Sequence, residues 1–189
     1  MPKPTLDTCL WPALLSGLMG VGSALAAESV RVATWNVETI GAQDSAEYQA
    51  AKQVLDRIDA DVVAVQEIAS TTDQTYLAYL ATDLGYPHVV VAPGGPFGSD
   101  RTAFMSTFPL SPTKAWTAPE LANDPQAHDL TRYILSAEVT VDQASDPLHL
   151  AVSHWKSGAS NTDEYRRAID SRRMAQVAET FRSQSELSS

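Results

Sequence analysis

Hydrophobic and polar positions along this chain switch between runs that suit strands and spacings that suit helices. Val30–Asn36 is a run of β-branched and small apolar residues ending in Asn36, and it reads as a strand. Behind Asp44 and Glu47, which resemble a capping box, Tyr48, Ala51, Val54, Leu55 and Ile58 fall at helical spacing. A second strand, Val62–Val65, leads through Glu67 into a Ser-Thr-Thr-Asp cluster that starts another helix. Tyr76, Leu77, Leu80 and Leu84 share one face of that helix, and Gly85 closes it. Short strands are predicted at His88–Val91, Thr102–Ser106, Arg132–Val141 and Leu148–His154, with a long Pro-containing connection over Pro109–Pro125. The last predicted element is a helix from about Thr162 to Phe181, with Met174, Val177, Ala178 and Phe181 on its core face. Because the later strands follow one another without helices between them, the pattern favours an α+β sheet over a doubly wound parallel one.

The 189 residues suffice for one domain with a real core. Residues 1–26 read as an export signal: Lys3 near the start, an apolar stretch over Leu10–Leu25, and small residues Ala24 and Ala26 before a cut that leaves a chain starting near Ala27. That stretch is shorter than the ~20 apolar residues needed to span a bilayer. Pro12, Gly17, Gly20 and Gly22 interrupt it, so no stable membrane anchor is expected and the mature domain, 27–189, is placed in the periplasm or outside the cell. Cys9 is the only cysteine and lies inside the signal, ahead of its apolar run, so the domain has no disulfide to make. The net charge of −10 is a poor match to nucleic acid unless cations or clustered arginines reverse the sign locally. Arginines do concentrate late, at Arg132, Arg166, Arg167, Arg172, Arg173 and Arg182.

Three apolar runs end in residues capable of chemistry: Arg31–Asn36, Asp61–Glu67 and Leu148–His154. A carboxamide, a carboxylate and an imidazole at the same rim of a sheet suit metal-assisted hydrolysis of a phosphate ester. Taken singly, Asn36 also suits a turn, Glu67 a salt bridge or a helix N-terminus, and Arg132 a solvated strand end. Asp100 is a candidate to orient His154, or a turn residue after Gly98-Ser99. His149 falls on the opposite strand face from His154, and His88 and His128 lie in less informative contexts. Lys156 and the arginines of the last helix are weaker candidates, since Asp163 with Arg167 and Arg166 with Asp170 fit as i,i+4 surface pairs.

Taken together, TWNV at Asn36, VAVQE at Glu67, SDR at Asp100 and Arg101, TRYIL at Arg132 and LAVSHWKSG at His154 resemble the endonuclease/exonuclease/phosphatase superfamily, from about Arg31 to Gln176. The resemblance implies a four-layer αββα sandwich, incomplete here, with Mg²⁺ at the shared rim of two sheets and Mn²⁺ or Ca²⁺ as possible substitutes. It implies Glu67 as the metal-binding carboxylate with Asn36 beside it, His154 and Asp100 in the acid-base machinery, and Arg132, Arg101 and Lys156 facing a phosphate-ester substrate, nucleic acid among the possibilities. The family pattern continues with an Asp-x-Asn strand and a closing Asp-His pair, whereas no histidine follows His154 here. Ile68-Ala69 stands where deoxyribonuclease-type members place a basic residue, which makes a phosphodiester a firmer expectation than DNA. Three readings follow: a nuclease-like phosphodiesterase, inactive or nearly so as it stands; a phosphomonoesterase or sphingomyelinase-like phospholipid hydrolase; and a non-catalytic interaction protein.

Overall fold

A computed structural model of the chain describes residues 29–95, 98, 100–121, 124, 130–141 and 146–188. The proposed signal, residues 1–26, and His128 lie outside the described residues. Two sheets stack between helices. The first has strand order β1-β2-β4-β3, formed by β1 (Val32–Asn36), β2 (Val62–Ile68), β4 (Arg101–Ser106) and β3 (His88–Val91). The second, in order β5-β6-β7, contains β5 (Leu110–Trp116), β6 (Ile134–Val139) and β7 (Leu148–Val152). Helices α1 (Ala46–Ile58) and α2 (Thr71–Leu84) cover the outer face of the first sheet, and α3 (Asn161–Ser188) lies on the second. These are the four layers of an incomplete αββα sandwich, α+β in class.

The layering follows from the strand sequences. β1 and β2 run parallel, joined by the α1 crossover, and β2 is apolar on both faces because both are covered. Val63 and Val65 point to Tyr48, Leu55, Leu77 and Leu80 of the helices, while Val62 and Ala64 meet Phe104, Leu135, Ala137 and Val152 between the sheets. A third cluster, with Trp116, Ile134 and Val177, seats α3. Ser70 caps α2 by accepting the Asp73 N–H at 3.1 Å, and Gly85 ends that helix at φ 79°, where a side chain would be strained.

Several elements depart from the expectations. Ser45 rather than Asp44 caps α1, accepting the Tyr48 N–H at 3.2 Å. The Pro109–Pro125 connection contains β5 and a 3₁₀ turn at Ala118–Glu120; Pro112 is tolerated because it sits at a register shift on an edge strand. β6 is shorter than the predicted Arg132–Val141 run, and α3 continues past Phe181. Ala178 faces solvent, whereas Val177 is buried with Met174 and Phe181 packed beside it as expected, and Ile169, Asp170 and Arg173 add to the seam of α3. The two proposed surface pairs of α3 do not form. Asp170 pairs instead with Arg173 at 2.9 Å inside the protein, and Arg167 donates to the carbonyls of Lys156 and Gly158. Among the described residues no helix is long and apolar enough to cross a membrane.

Candidate active site

The parallel pairing of β1 with β2 sets Asn36 opposite Gln66, so the carboxamide and the Glu67 carboxylate emerge at adjoining strand ends. A bulge between Val65 and Ile68 produces the local geometry at Glu67, which adopts φ 66°. That left-handed conformation costs a non-glycine residue about 1–2 kcal/mol and turns a side chain out of an otherwise buried strand. Asn36 holds a tight turn by accepting the Glu38 N–H at 3.1 Å.

From the second sheet comes His154, two residues beyond β7. Its Nε2 stands 3.3 Å from Glu67 Oε1, while its Nδ1 is buried with no hydrogen-bond partner among the described residues. Burial lowers the imidazole below its ordinary pKa, as does the Arg132 charge, and the Glu67 and Asp100 carboxylates only partly offset them. These influences favour the neutral imidazole, the form able to accept a proton. Asp100, at the head of β4, accepts a short hydrogen bond from Arg132 across the layers and adds its field to His154 from there. The sequence reading placed Asp100 against the imidazole; the structure brings Glu67 into that contact and turns Asp100 to Arg132.

The two sheets thus contribute opposite chemistry. Asn36, Glu67 and Asp100 come from the first, Arg132 and His154 from the second, and the pairs Glu67–His154 and Asp100–Arg132 bridge them. Lys156 is less centred, its Nζ donating to the Ser157 carbonyl at 2.9 Å and standing 3.8 Å from Asp163. The Arg101 guanidinium lies toward Gly94, where an added Cβ would come within 3.4 Å of it. His149 is remote from this chemistry: it faces Glu138 at 3.6 Å and stacks on Phe181 with ring centres 4.8 Å apart.

One contributor escaped the sequence reading. A Cβ on Gly95 would collide with the Thr131 carbonyl and stand 2.9 Å from the Arg132 Cα, so only glycine lets this loop press on the backbone that carries Arg132. The Gly94-Gly95 doublet was the available signal.

Among the described residues no three His, Cys, Asp or Glu side chains converge on a common point, so a closed tetrahedral cage is not assembled. One carboxylate with a neighbouring carboxamide fits instead a hard divalent ion that keeps open positions for water and phosphate.

A family model described as Endonuclease/Exonuclease/phosphatase family matches residues 33–181. Among solved structures, the chain is similar to an endonuclease/exonuclease/phosphatase from Beutenbergia cavernae DSM 12333, with TM-score 0.57 and 21% identity over 74% of this chain and 42% of that one. It is similar to the 3′ phosphatase NExo from Neisseria bound to product DNA hairpin, with TM-score 0.56 and 16% identity over 81% of this chain and 53% of that one. Humanized D. rerio TDP2 has TM-score 0.56 and 20% identity over 78% of this chain and 55% of that one. The chain therefore spans about half the length of these structures. No curated protein matches it. Members of the matched family generally depend on divalent metal, in keeping with the oxygen donors at Glu67 and Asn36. On the family match over residues 33–181, with the fold to support it, this chain belongs to the endonuclease/exonuclease/phosphatase family.

Proposed function

We propose that the chain carries the metal- and phosphate-binding part of a Mg²⁺-dependent phosphodiesterase site, nuclease-like in substrate class, and that its own turnover is close to background. The observation that carries the reading is the meeting of Glu67 with His154, beside Arg132, at one rim. Glu67 and Asn36 would hold the ion, which when bound offsets charge on the phosphoryl oxygens. Arg132 would fork onto those oxygens as a planar cation, leaving Asp100 for the substrate when a phosphate arrives. His154 would take a proton from the attacking water at Nε2, where the Glu67 carboxylate stabilises the resulting imidazolium. Turnover is placed near background because the described residues bring a single imidazole to this rim, and residues that act as a unit in hydrolysis do not contribute additively. The structural neighbour bound to a product DNA hairpin supports a nucleic-acid or other phosphoester substrate, and the apolar segment before Ala27 supports export to the periplasm or beyond.

Calorimetric titration with Mg²⁺, alongside hydrolysis of a chromogenic phosphodiester, DNA, sphingomyelin and an inositol phosphate, tests this. Binding that weakens at least about tenfold in Glu67→Gln supports the site. Unchanged binding in that variant removes it. Vigorous chelator-sensitive turnover would show that the single-imidazole rim is sufficient, and the preferred substrate would then decide between nuclease and phospholipid or monoester hydrolase.

A further inference from the structure

His154 stands outside the ladder that holds its own strand. β7 ends at Val152, opposite Leu135, and residues 153–160 cross to α3 without regular secondary structure. Among the described residues no backbone–backbone hydrogen bond reaches residues 153–159. The Glu67 contact at 3.3 Å fixes the tip of the imidazole and leaves the backbone behind it to be held by something else.

That support comes from the first two turns of α3. Arg167 Nη1 donates to the Gly158 carbonyl at 2.7 Å and to the Lys156 carbonyl at 3.1 Å, the latter only two residues from His154. Such charge-assisted hydrogen bonds are roughly twice as strong as neutral ones. One turn earlier on the same helical face, Asp163 meets the same loop. A Cβ on Gly158 would lie 2.4 Å from Asp163 Oδ2, and the φ of 110° at Gly158 also requires glycine, so the turn lies flat against this carboxylate. Asp163 Oδ1 stands 3.8 Å from Lys156 Nζ. Asp163 is itself tied down, since its N–H donates to Ser160 Oγ at 3.2 Å and the Ser160 hydroxyl donates to Asp163 Oδ2 at 2.7 Å. Asp163 and Arg167, which their spacing would pair with each other, thus both turn to the loop. The helix under them is seated by buried Ile169, Asp170, Arg173 and Val177. Arg167 is only half-buried and belongs to none of the apolar clusters, so its removal changes the loop and leaves the packing of α3 in place.

We propose that Arg167 is a positioning residue for His154: by holding the Lys156 and Gly158 carbonyls against α3, it fixes the segment that carries the imidazole and with it the meeting of His154 with Glu67. The proposal rests on the reading of His154 as the proton acceptor of the site. The line of support runs from the core under α3, through one guanidinium, to the reacting side chain.

Proton–carbon correlation spectra of the full chain labelled at histidine, recorded without metal, test this. The His154 ring signal is the one lost in His154→Gln. Arg167→Met should shift and broaden that signal. The ring signals of His88, in β3, and of His149, which rests on Glu138 and Phe181, should stay in place and report an intact fold. Arg167→Lys, whose ammonium still reaches a carbonyl, should displace the His154 signal less than Arg167→Met does. A His154 signal unmoved in Arg167→Met, one that moves no further than those of His88 and His149, or one displaced as far by Arg167→Lys would overturn the proposal. The metal reading is judged separately by Mg²⁺ binding in Glu67→Gln, on which the metal-free spectra do not depend.

Discussion

The two helical covers of this sandwich are secured differently. On the first sheet, α1 and α2 bury an apolar set, with Tyr48, Leu55, Leu77 and Leu80 against Val63, Val65 and Met105; polar contacts such as Lys52 to Asp83 stay half-exposed. On the second sheet, α3 buries charge: Arg173 is 1% and Asp170 6% exposed, paired at 2.9 Å, and nearby the Trp116 Nε1–H donates to Ser136 Oγ at 2.8 Å inside the core. Burial raises the Asp170 carboxyl above its ordinary pKa even though Arg173 and Arg166 pull it down. An apolar layer depends on volume and tolerates any residue of the right size. A buried ion pair is unforgiving of the loss of one member, because the other remains desolvated and unpaired. Since the site is assembled from both sheets, its geometry depends on both kinds of support.

The sharpest way to break the comparison is at α3. Asp170→Ala should cost about 3–5 kcal/mol by taking the Asp170 carboxylate away from the buried Arg173 guanidinium, while the double variant Asp170→Leu with Arg173→Met should recover most of it. Urea unfolding of the three proteins measures both; equal losses in single and double variants would mean that packing, not charge, holds this helix. At the first sheet, Leu77→Ala should cost about 2–5 kcal/mol and Leu77→Met less than about 1.5, the signature of a layer held by volume.

Gly95→Ala should cost about 1–3 kcal/mol, since backbone must yield to the new methyl. It should also move the Arg132 guanidinium relative to Asp100, visible as shifted Arg132 side-chain resonances and weaker binding of inorganic phosphate. Unshifted resonances would show that the loop yields instead of the Arg132 segment.

The smallest effect is one of pH. Glu120 accepts the Thr117 N–H in a capping box and pairs with Lys114, which together hold its carboxyl at about 2, down from 4.5. The folded state therefore binds this proton less readily than the unfolded one. The resulting stability is present above pH 4.5 and is lost as pH falls through about 2. With its side chain 39% exposed, the contribution is screened to below about 1 kcal/mol. Glu120→Gln should lower stability at neutral pH by that amount and flatten the acid limb, so that variant and parent converge as pH falls to about 2.

Strand ends and helical faces were legible because they depend on local periodicity. The runs ending at Asn36 and Glu67, the Gly85 cap and the Val177 seam all follow from patterns within a few residues. β5 was not legible, since Pro112 forbids a central strand and only the register shift on an edge makes room for it. The pairs Glu67–His154 and Asp100–Arg132 and the burial of Arg173 were equally hidden, each joining elements distant in sequence or placing a charge where composition favours solvent.

By itself, the sequence determined which residue types stand at the rim and on which strands they ride, because side-chain alternation and capping are short-range. Only the tertiary structure decided which carboxylate meets His154. That choice follows from the stacking of two sheets and from a bulge at Glu67, and neither the layer spacing nor the φ of 66° is encoded in any local period.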